Sequence, residues 1–240
     1  MTRRRVHLPP ERIQDGRALL TAEARHYLRD VLRLRPGEEL EVFDGRGSVY
    51  AASFADAEAL ALGPRRAAPS PGATVWIAFA LAKGDRGDLV VQKATELGAS
   101  RFLPWQAERS VVRLEGTRAA ERARRWRRIA AEAARQCGRA DVPEVEVPGS
   151  LAAALGAVPD GFARLLLHAG GEPIGPVGRG QGILAVVGPE GGLTEEEVDA
   201  CVGAGCRVVG LGPRTLRAET AAIAAAALLQ YAAGDLGPSP

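Results

Sequence analysis

The sequence predicts an α/β protein in two parts: a small α+β module that fits a barrel, then a larger domain built on a parallel sheet. Three observations predict it. Beyond residue 72, strand-like and helix-like runs alternate at the spacing of βαβ units. The strand-like runs there, Val75 to Ala82 and Ile183 to Val187, are continuously apolar, as strands covered on both faces are. Before it, Glu39 to Phe43 and Ser48 to Phe54 alternate around Asp44-Gly45-Arg46-Gly47, a hairpin signal. The stretch Gly63 to Gly72, rich in Pro and Gly, reads as the linker between the two regions.

The elements follow in order. Thr21 is placed to cap a helix running through Leu34, ended by Pro36-Gly37, and the hairpin follows it. After the linker and the Val75 to Ala82 strand, Asp88 to Leu97 has helical period and stops at Gly98. Arg101 to Trp105 reads as a strand, and Thr117 to Cys137 as a long helix stopped by Gly138. Val142 to Val147, a short helix from Ser150, and Ala163 to His168 come next. After the Ile183 to Val187 strand, Thr194 and Glu197 form a capping box for a helix that Gly205 ends. Arg207 to Leu211 is the last strand and Ala218 to Ala233 the last helix.

Composition bounds the function classes. Of 240 residues, 46% are hydrophobic and 25% charged, ordinary globular proportions that set aside disorder and collagen-like order. No apolar run reaches the ~20 residues a membrane helix needs, and the start MTRRRVHLPP lacks a signal-peptide core, so a cytoplasmic protein is expected. Cys137, Cys201 and Cys206 have neither CxxC nor Cys/His spacing, so buried thiols are expected, with no metal site. The net charge of +2 conceals a segregation. Residues 1–35 hold nine arginines against four acids, and residues 118–139 hold eight against two. Two basic segments on a near-neutral chain are the footprint of a polyanion partner, or a solvated arginine-rich surface.

In an open parallel sheet, ligands bind beyond the carboxyl ends of the strands. Three such ends carry informative loops: Leu165 to Glu172, Val187 to Leu193, and Leu211 to Thr220. Their glycines admit a ligand close to the backbone, and their prolines stiffen the turns. No GxxxxGK[ST] occurs, and no GxGxxG joins a strand to a helix, which disfavours ATP, GTP and dinucleotides. The third loop sets Arg214 and Arg217 beside Glu219, a charge set that usually faces a ligand.

The motifs GPEGG at 188–192 and LGPRTLRAETA at 211–221 resemble the signature of the RsmE family of ribosomal RNA methyltransferases, in the SPOUT superfamily. His26 with Val31-Leu32-Arg33-Leu34 and Pro36-Gly37, then Lys83-Gly84-Asp85, Lys93 to Gly98, Arg109-Ser110, and Glu132 with Gln136 and Arg139, resemble the family's other blocks in order. The resemblance implies a PUA-like RNA-binding domain over 1–70 and a SPOUT methyltransferase domain over 73–237, with a C-terminal trefoil knot. It also implies a homodimer that uses S-adenosylmethionine to methylate N3 of one uridine in the decoding-region helix of 16S rRNA, within the small ribosomal subunit.

The resemblance assigns the cofactor to Leu167, to Gly188, Pro189, Glu190, Gly191 and Gly192, and to Leu211, Gly212, Arg214, Thr215 and Leu216. Uracil N3 must lose its proton before it is a good nucleophile, and a guanidinium aimed at a flanking carbonyl would stabilise the anion. Arg217 is the candidate for that role. Glu219 either orients Arg217, helps to accept the proton, or is only a carboxylate at a helix N-terminus. Arg5, His26 and Arg33 are candidates for RNA contact from the N-terminal module. On the long helix, Arg118, Arg122 and Arg125 share a face that follows an RNA backbone, or pairs with Glu121 or a dimer partner. Rival readings are a SPOUT enzyme acting at another RNA position, either a ribose 2′-hydroxyl or a different base, and a non-catalytic rRNA-binding assembly factor. The RsmE-type motifs argue against the first, and the intact Gly188 to Gly192 and Arg217 to Thr220 against the second.

Overall fold

The computed structural model describes residues 4–54, 56, 58–69 and 72–236. Arg3 of the basic N-terminal segment, Ser70 and Pro71 of the expected linker, and Gly237 lie outside that set. The chain divides into two compact units: Met1–Ser70 with Ala131–Val142, and Pro71–Ala130 with Pro143–Pro240.

The first unit holds a six-stranded curled sheet in the order β1-β4-β5-β6-β3-β2. Its strands are β1 (Arg5–His7), β2 (Ile13–Gln14), β3 (Arg17–Leu19), β4 (Glu39–Phe43), β5 (Ser48–Phe54) and β6 (Ala59–Ala67). Only β1 and β4 run parallel. Because β1 and β2 are its edges, the small barrel expected from the short strands takes the form of a curled half-barrel. The β4–β5 hairpin turns as anticipated: Asp44 accepts the N–H groups of Arg46 and Ser48 at 2.7 and 2.9 Å, and Gly45 and Gly47 take positive φ. A second hairpin, β2–β3, turns on Asp15-Gly16, both left-handed, another Asp-Gly signal. Thr21 Oγ1 accepts the Ala24 N–H and opens α1 (Ala22–His26). The chain then widens into one π-type turn, Tyr27–Val31, and ends short of Leu34 because Arg33 is left-handed, with the Leu34 N–H bonding back to Leu28.

The expected linker is corrected too, since residues 63–67 belong to β6. Pro64 is tolerated there because β3 pairs with β6 only as far as Ala61, and β5 bulges between Tyr50 and Ala52. One core packs Val6, Leu8, Leu28, Leu40, Val42, Phe54 and Leu60. A smaller cluster sets Phe43 and Val49 against Ala134 and Ala140, so residues 131–142 complete this unit.

The second unit is a six-stranded, wholly parallel sheet in the order β12-β10-β11-β7-β8-β9. Its elements are β7 (Thr74–Ala80), α2 (Arg86–Glu96), β8 (Ala99–Trp105), α3 (Gly116–Cys137, which enters the first unit at Ala131), β9 (Glu144–Val145), α4 (Leu151–Gly156), β10 (Ala163–Pro173), β11 (Gly182–Val187), α5 (Glu195–Gly203), β12 (Arg207–Gly210) and α6 (Ala218–Ala232). The continuous apolar runs are explained by cover on both faces. Trp76, Ala78 and Ala80 of β7 pack towards α4 and α5, while α6 lies on β7 and β11 and against α2. Gln230 of α6 is wholly buried and fully used. Its Oε1 accepts the Ala73 N–H, and its Nε2 donates to the Ala73 and Gly98 carbonyls at 3.1 and 3.0 Å. Cys201 and Cys206 are buried, but Cys137, the last residue of α3, is exposed, which corrects the expectation of three buried thiols. Among the described residues no helix is long and apolar enough to cross a membrane, and no group of His, Cys, Asp and Glu could hold a metal ion.

Candidate active site

Neighbouring strands β7, β11, β10 and β12 bring their carboxyl ends together along one edge of the parallel sheet. A cleft opens there, lined by Leu167, His168 and Ala169 of β10, by Val209, Leu211, Gly212, Arg214, Thr215 and Leu216 at and after β12, and by Ala221 of α6. Six of the expected cofactor residues, Leu167, Leu211, Gly212, Arg214, Thr215 and Leu216, thus share one wall. Gly212 stands at φ +97 with open space where a side chain would be, so main chain faces the cleft.

The GPEGG segment is not among the residues lining that cleft. It is a tight turn, with the Gly192 N–H bonded to the Pro189 carbonyl, leading into the Thr194–Glu197 capping box of α5. Two of its glycines, Gly188 and Gly191, are set by packing, and Gly192 by its positive φ of 75°. A Cβ at Gly191 would lie 3.2 Å from Arg109, and one at Gly188 would lie 2.8 Å from Leu193. Arg109 Nη1 donates to the Leu193 carbonyl at 3.1 Å, and Glu197 accepts the Glu108 N–H at 2.8 Å, so the segment after β8 braces the turn.

Arg217 is the N-cap of α6, exposed, with its carbonyl accepting the Ala221 N–H. Neither Arg217 nor Arg214 has a side-chain partner among the described residues; Arg214 lines the cleft, and Arg217 follows its lining residue Leu216 at the start of α6. Glu219, in the first turn of α6, is 11% exposed, and its Oε2 is buried without a hydrogen-bond partner. Its Oε1 lies 3.9 Å from Nε of Arg86, whose Nη1 also pairs with Glu190. Arg86 was missed from the sequence. The strand-end rule would have found it, because it opens α2 just past the carboxyl end of β7.

The expected RNA contacts are dispersed over both units. In the first, Arg5 is only 7% exposed: Nε pairs with Glu41 at 2.5 Å, Nη1 donates to the Arg139 carbonyl at 3.1 Å, and the guanidinium stacks on Phe43. The Arg5 guanidinium is thus engaged within this unit and offers little free surface to a phosphate. His26 is exposed and bonds Asp30 at 2.8 Å, and Arg33 is exposed at its left-handed turn. In the second unit, Arg118, Arg122 and Arg125 do share a face of α3, lining a shallow cavity with Asp85, Leu114 and Glu121. Arg125 is held there by Asp88, whose Oδ2 accepts both Nε and Nη2 at 2.8 and 2.5 Å while its Oδ1 accepts the Trp126 indole N–H at 2.9 Å. That pairing strengthens the hold of Arg125 on its proton, and ties the residue to the core as well as to solvent.

A parallel sheet with a backbone-walled cleft at its strand ends, accompanied by a curled sheet module, defines a two-domain α/β protein with a ligand site at the topological end of the sheet. A family model described as an RNA methyltransferase domain matches residues 68–230, and one described as an RNA methyltransferase PUA domain matches residues 20–60. Ribosomal RNA small subunit methyltransferase E of Bacillus subtilis is 32% identical over 96% of both chains. Its counterpart in Mycobacterium bovis is 36% identical over 87% of this chain and 84% of its own. The crystal structure of ribosomal RNA small subunit methyltransferase E from Neisseria gonorrhoeae bound to S-adenosyl methionine superposes with a TM-score of 0.85 at 30% identity, covering 95% of this chain and 97% of that one. A Legionella pneumophila methyltransferase in complex with the same cofactor gives 0.84 at 30% identity, with the same coverage. The chain belongs to the ribosomal RNA small subunit methyltransferase E family.

Proposed function

We propose that this protein is an S-adenosylmethionine-dependent methyltransferase of 16S rRNA, acting at N3 of one uridine of the decoding-region helix in the small ribosomal subunit. The observation that carries the reading is the strand-end cleft lined by unpaired Arg214, with unpaired Arg217 and the buried Oε2 of Glu219 following in the chain after its lining residue Leu216, in a family whose relatives are crystallised with the methyl donor. The residues fit that donor. Leu167, Val209, Leu211 and Leu216 offer apolar walls for a flat heterocycle, and Gly212 keeps the main chain open to hydrogen bonding. S-adenosylmethionine supplies an electrophilic methyl group. Arg217 stabilises the uracil anion at a carbonyl flanking N3, and Glu219 Oε2 accepts a proton or an N–H from the bound molecules. The 188–192 turn closes the site from the side of β11.

Residues 1–70 serve as the PUA-like RNA-binding domain and residues 73–237 as the SPOUT domain. His26 and Arg33 of the first, and Arg118, Arg122 and Arg125 of the second, meet RNA phosphates. The C-terminal chain is threaded as a trefoil knot. The tail of β10 pairs closely with β12 beyond a shift of register, Glu172 opposite Val209 and Pro173 opposite Gly210. There a Cβ on Gly171 would fall 2.6 Å from the Val209 carbonyl carbon, and one on Gly210 would fall 2.7 Å from the Gly171 oxygen, so only glycine pairs fit. The protein works in the cytoplasm as a homodimer, for which the exposed Leu228 and Tyr231 on small-residue-rich α6 provide an apolar surface.

Methyl transfer from labelled S-adenosylmethionine to small subunits from a strain lacking the gene, with mass spectrometry of the nucleosides, tests the reading. Labelled 3-methyluridine is expected. A labelled ribose or another base overturns the position, and no transfer to any rRNA overturns the activity.

A further inference from the structure

We infer that Arg86 is a positioning residue for methyl transfer, acting through Glu219. The inference rests on the function proposed above and goes beyond it, since nothing in the sequence motifs assigns this arginine a role.

Arg86 is the first residue of α2 and follows the carboxyl end of β7, the strand beside β11. Its guanidinium meets two carboxylates that arrive from other strand ends. One is Glu190, on the turn after β11. The other is Glu219, in the first turn of α6 after β12. One side chain therefore ties together the segments that follow three strands, β7, β11 and β12, the last of which also lines the cleft. A planar guanidinium with five donors can serve two carboxylates at once, and a lysine ammonium does so less well.

The two acids are not equally served. Glu190 is paired directly and is 37% exposed, so water completes its hydrogen bonding. Glu219 is 11% exposed, its nearest cation is Arg86 at 3.9 Å, and its Oε2 is buried with no donor among the described residues. A buried carboxylate oxygen without a partner is unfavourable in a resting fold and is retained where a bound group will supply the missing N–H or O–H. Arg86 holds the Oε1 side, which leaves Oε2 as the oxygen available to the reacting molecules. Without Arg86, the carboxylate would lose its one nearby cation and its fixed rotamer together. A displacement of about an ångström at a reacting group costs on the order of 100-fold in rate.

The test measures single-turnover methyl transfer to small subunits lacking the modification, alongside calorimetric binding of S-adenosylmethionine. The variants are Arg86→Met, Arg86→Lys and Arg217→Ala. Arg86→Met is expected to slow transfer about 100-fold while donor affinity changes less than about threefold, and Arg86→Lys to recover part of the loss. On a Glu219→Gln background, Arg86→Met should cost less than about threefold more, because the group it positions is already disabled. A parental rate in Arg86→Met overturns the inference. So does equal loss of affinity and rate, or a full additional loss on the Glu219→Gln background. Should Arg86→Met not fold, Arg86→Lys is read through the same comparison against Glu219→Gln, with the same overturning results. If the parent protein transfers no methyl group, the functional reading fails. If the parent is active, Arg217→Ala is inactive and Arg86→Met is parental, only the inference fails.

Discussion

Arg217 shows how a residue can matter to chemistry and little to folding. Its backbone caps α6, but its side chain makes no contact that the fold uses. Arg217→Ala is therefore expected to leave the melting temperature and donor affinity near parental while lowering turnover by about 100- to 1,000-fold, as loss of one preorganised charge stabiliser does. Equal losses of affinity and turnover would assign it a structural role. Asp88 is the converse case. It is 9% exposed and accepts from the buried indole of Trp126 as well as from Arg125. Asp88→Ala strands the indole donor, and denaturant unfolding should show a loss of about 2–3 kcal/mol; a loss below about 1 kcal/mol would mean that water replaces the carboxylate. His7 carries a pH signature. Burial holds its imidazole below the ordinary 6.5, against the opposing pull of Asp44. The unfolded chain then binds the proton more readily, so stability is full above 6.5 and declines as pH falls from 6.5 towards the lowered folded value. Melting temperatures between pH 7.5 and 5 should fall for the parent and fall less for His7→Phe, and parallel curves would remove His7 as the cause.

At the scale of elements, much of the second unit was legible because its signals are local. Gly98 and Gly205 end their segments in the left-handed conformation at the positions read from the sequence, as does Gly138 where α3 has passed into the first unit. The Thr194–Glu197 box forms both of its hydrogen bonds. What was not legible depended on partners distant in sequence. β6 was hidden because Pro64 and Gly63 read as linker residues, and only the early end of β3 and the bulge in β5 make room for them. The buried state of Arg5 depends on Glu41 and Arg139, and the Asp88 clamp on Arg125 joins residues 37 apart. The same clamp decides how the basic face of α3 should be tested. Reversing Arg125 would break its pairing with Asp88, whereas Arg118 is outside that clamp and Arg122 makes only a 3.4 Å bond to the Gly84 carbonyl and a 5.7 Å approach to the Trp126 ring. An Arg118→Glu/Arg122→Glu double variant should keep the parental melting temperature and reduce the slope of log binding constant against log salt by about two, one for each phosphate no longer neutralised. An unchanged slope would show that this face does not meet RNA.

At the scale of the whole molecule, the chain divides within its Pro/Gly-rich stretch, as composition implies, but not only there. Residues 131–142 belong with the first unit although roughly sixty residues separate them from residue 70. Periodicity could not reveal this, because α3 reads as one uninterrupted helix from Gly116 to Cys137 and nothing in its pattern marks Ala131 as a boundary. The physical consequence is specific. Phe43 and Val49 project from β4 and β5 onto Ala134 and Ala140, the Gly47 N–H bonds the Ala140 carbonyl at 3.1 Å, and the Arg5 guanidinium bonds the Arg139 carbonyl. A fragment of residues 1–70 would expose Phe43, now fully buried, and deprive a buried arginine of an acceptor, penalties of about 2–3 kcal/mol and 1–3 kcal/mol. Those losses are a large share of what a domain of this size can hold in reserve. The 1–70 fragment is therefore expected to be cleaved by a nonspecific protease much faster than the same residues within the full chain, and to show no cooperative thermal transition. Adding residues 131–142 as a separate peptide at high concentration should restore protection, because the missing surface is one continuous segment. A fragment that melts cooperatively without the peptide would show that the main core of Leu8, Leu28, Val42 and Leu60 is sufficient by itself, and that residues 131–142 only cover a face that is already stable.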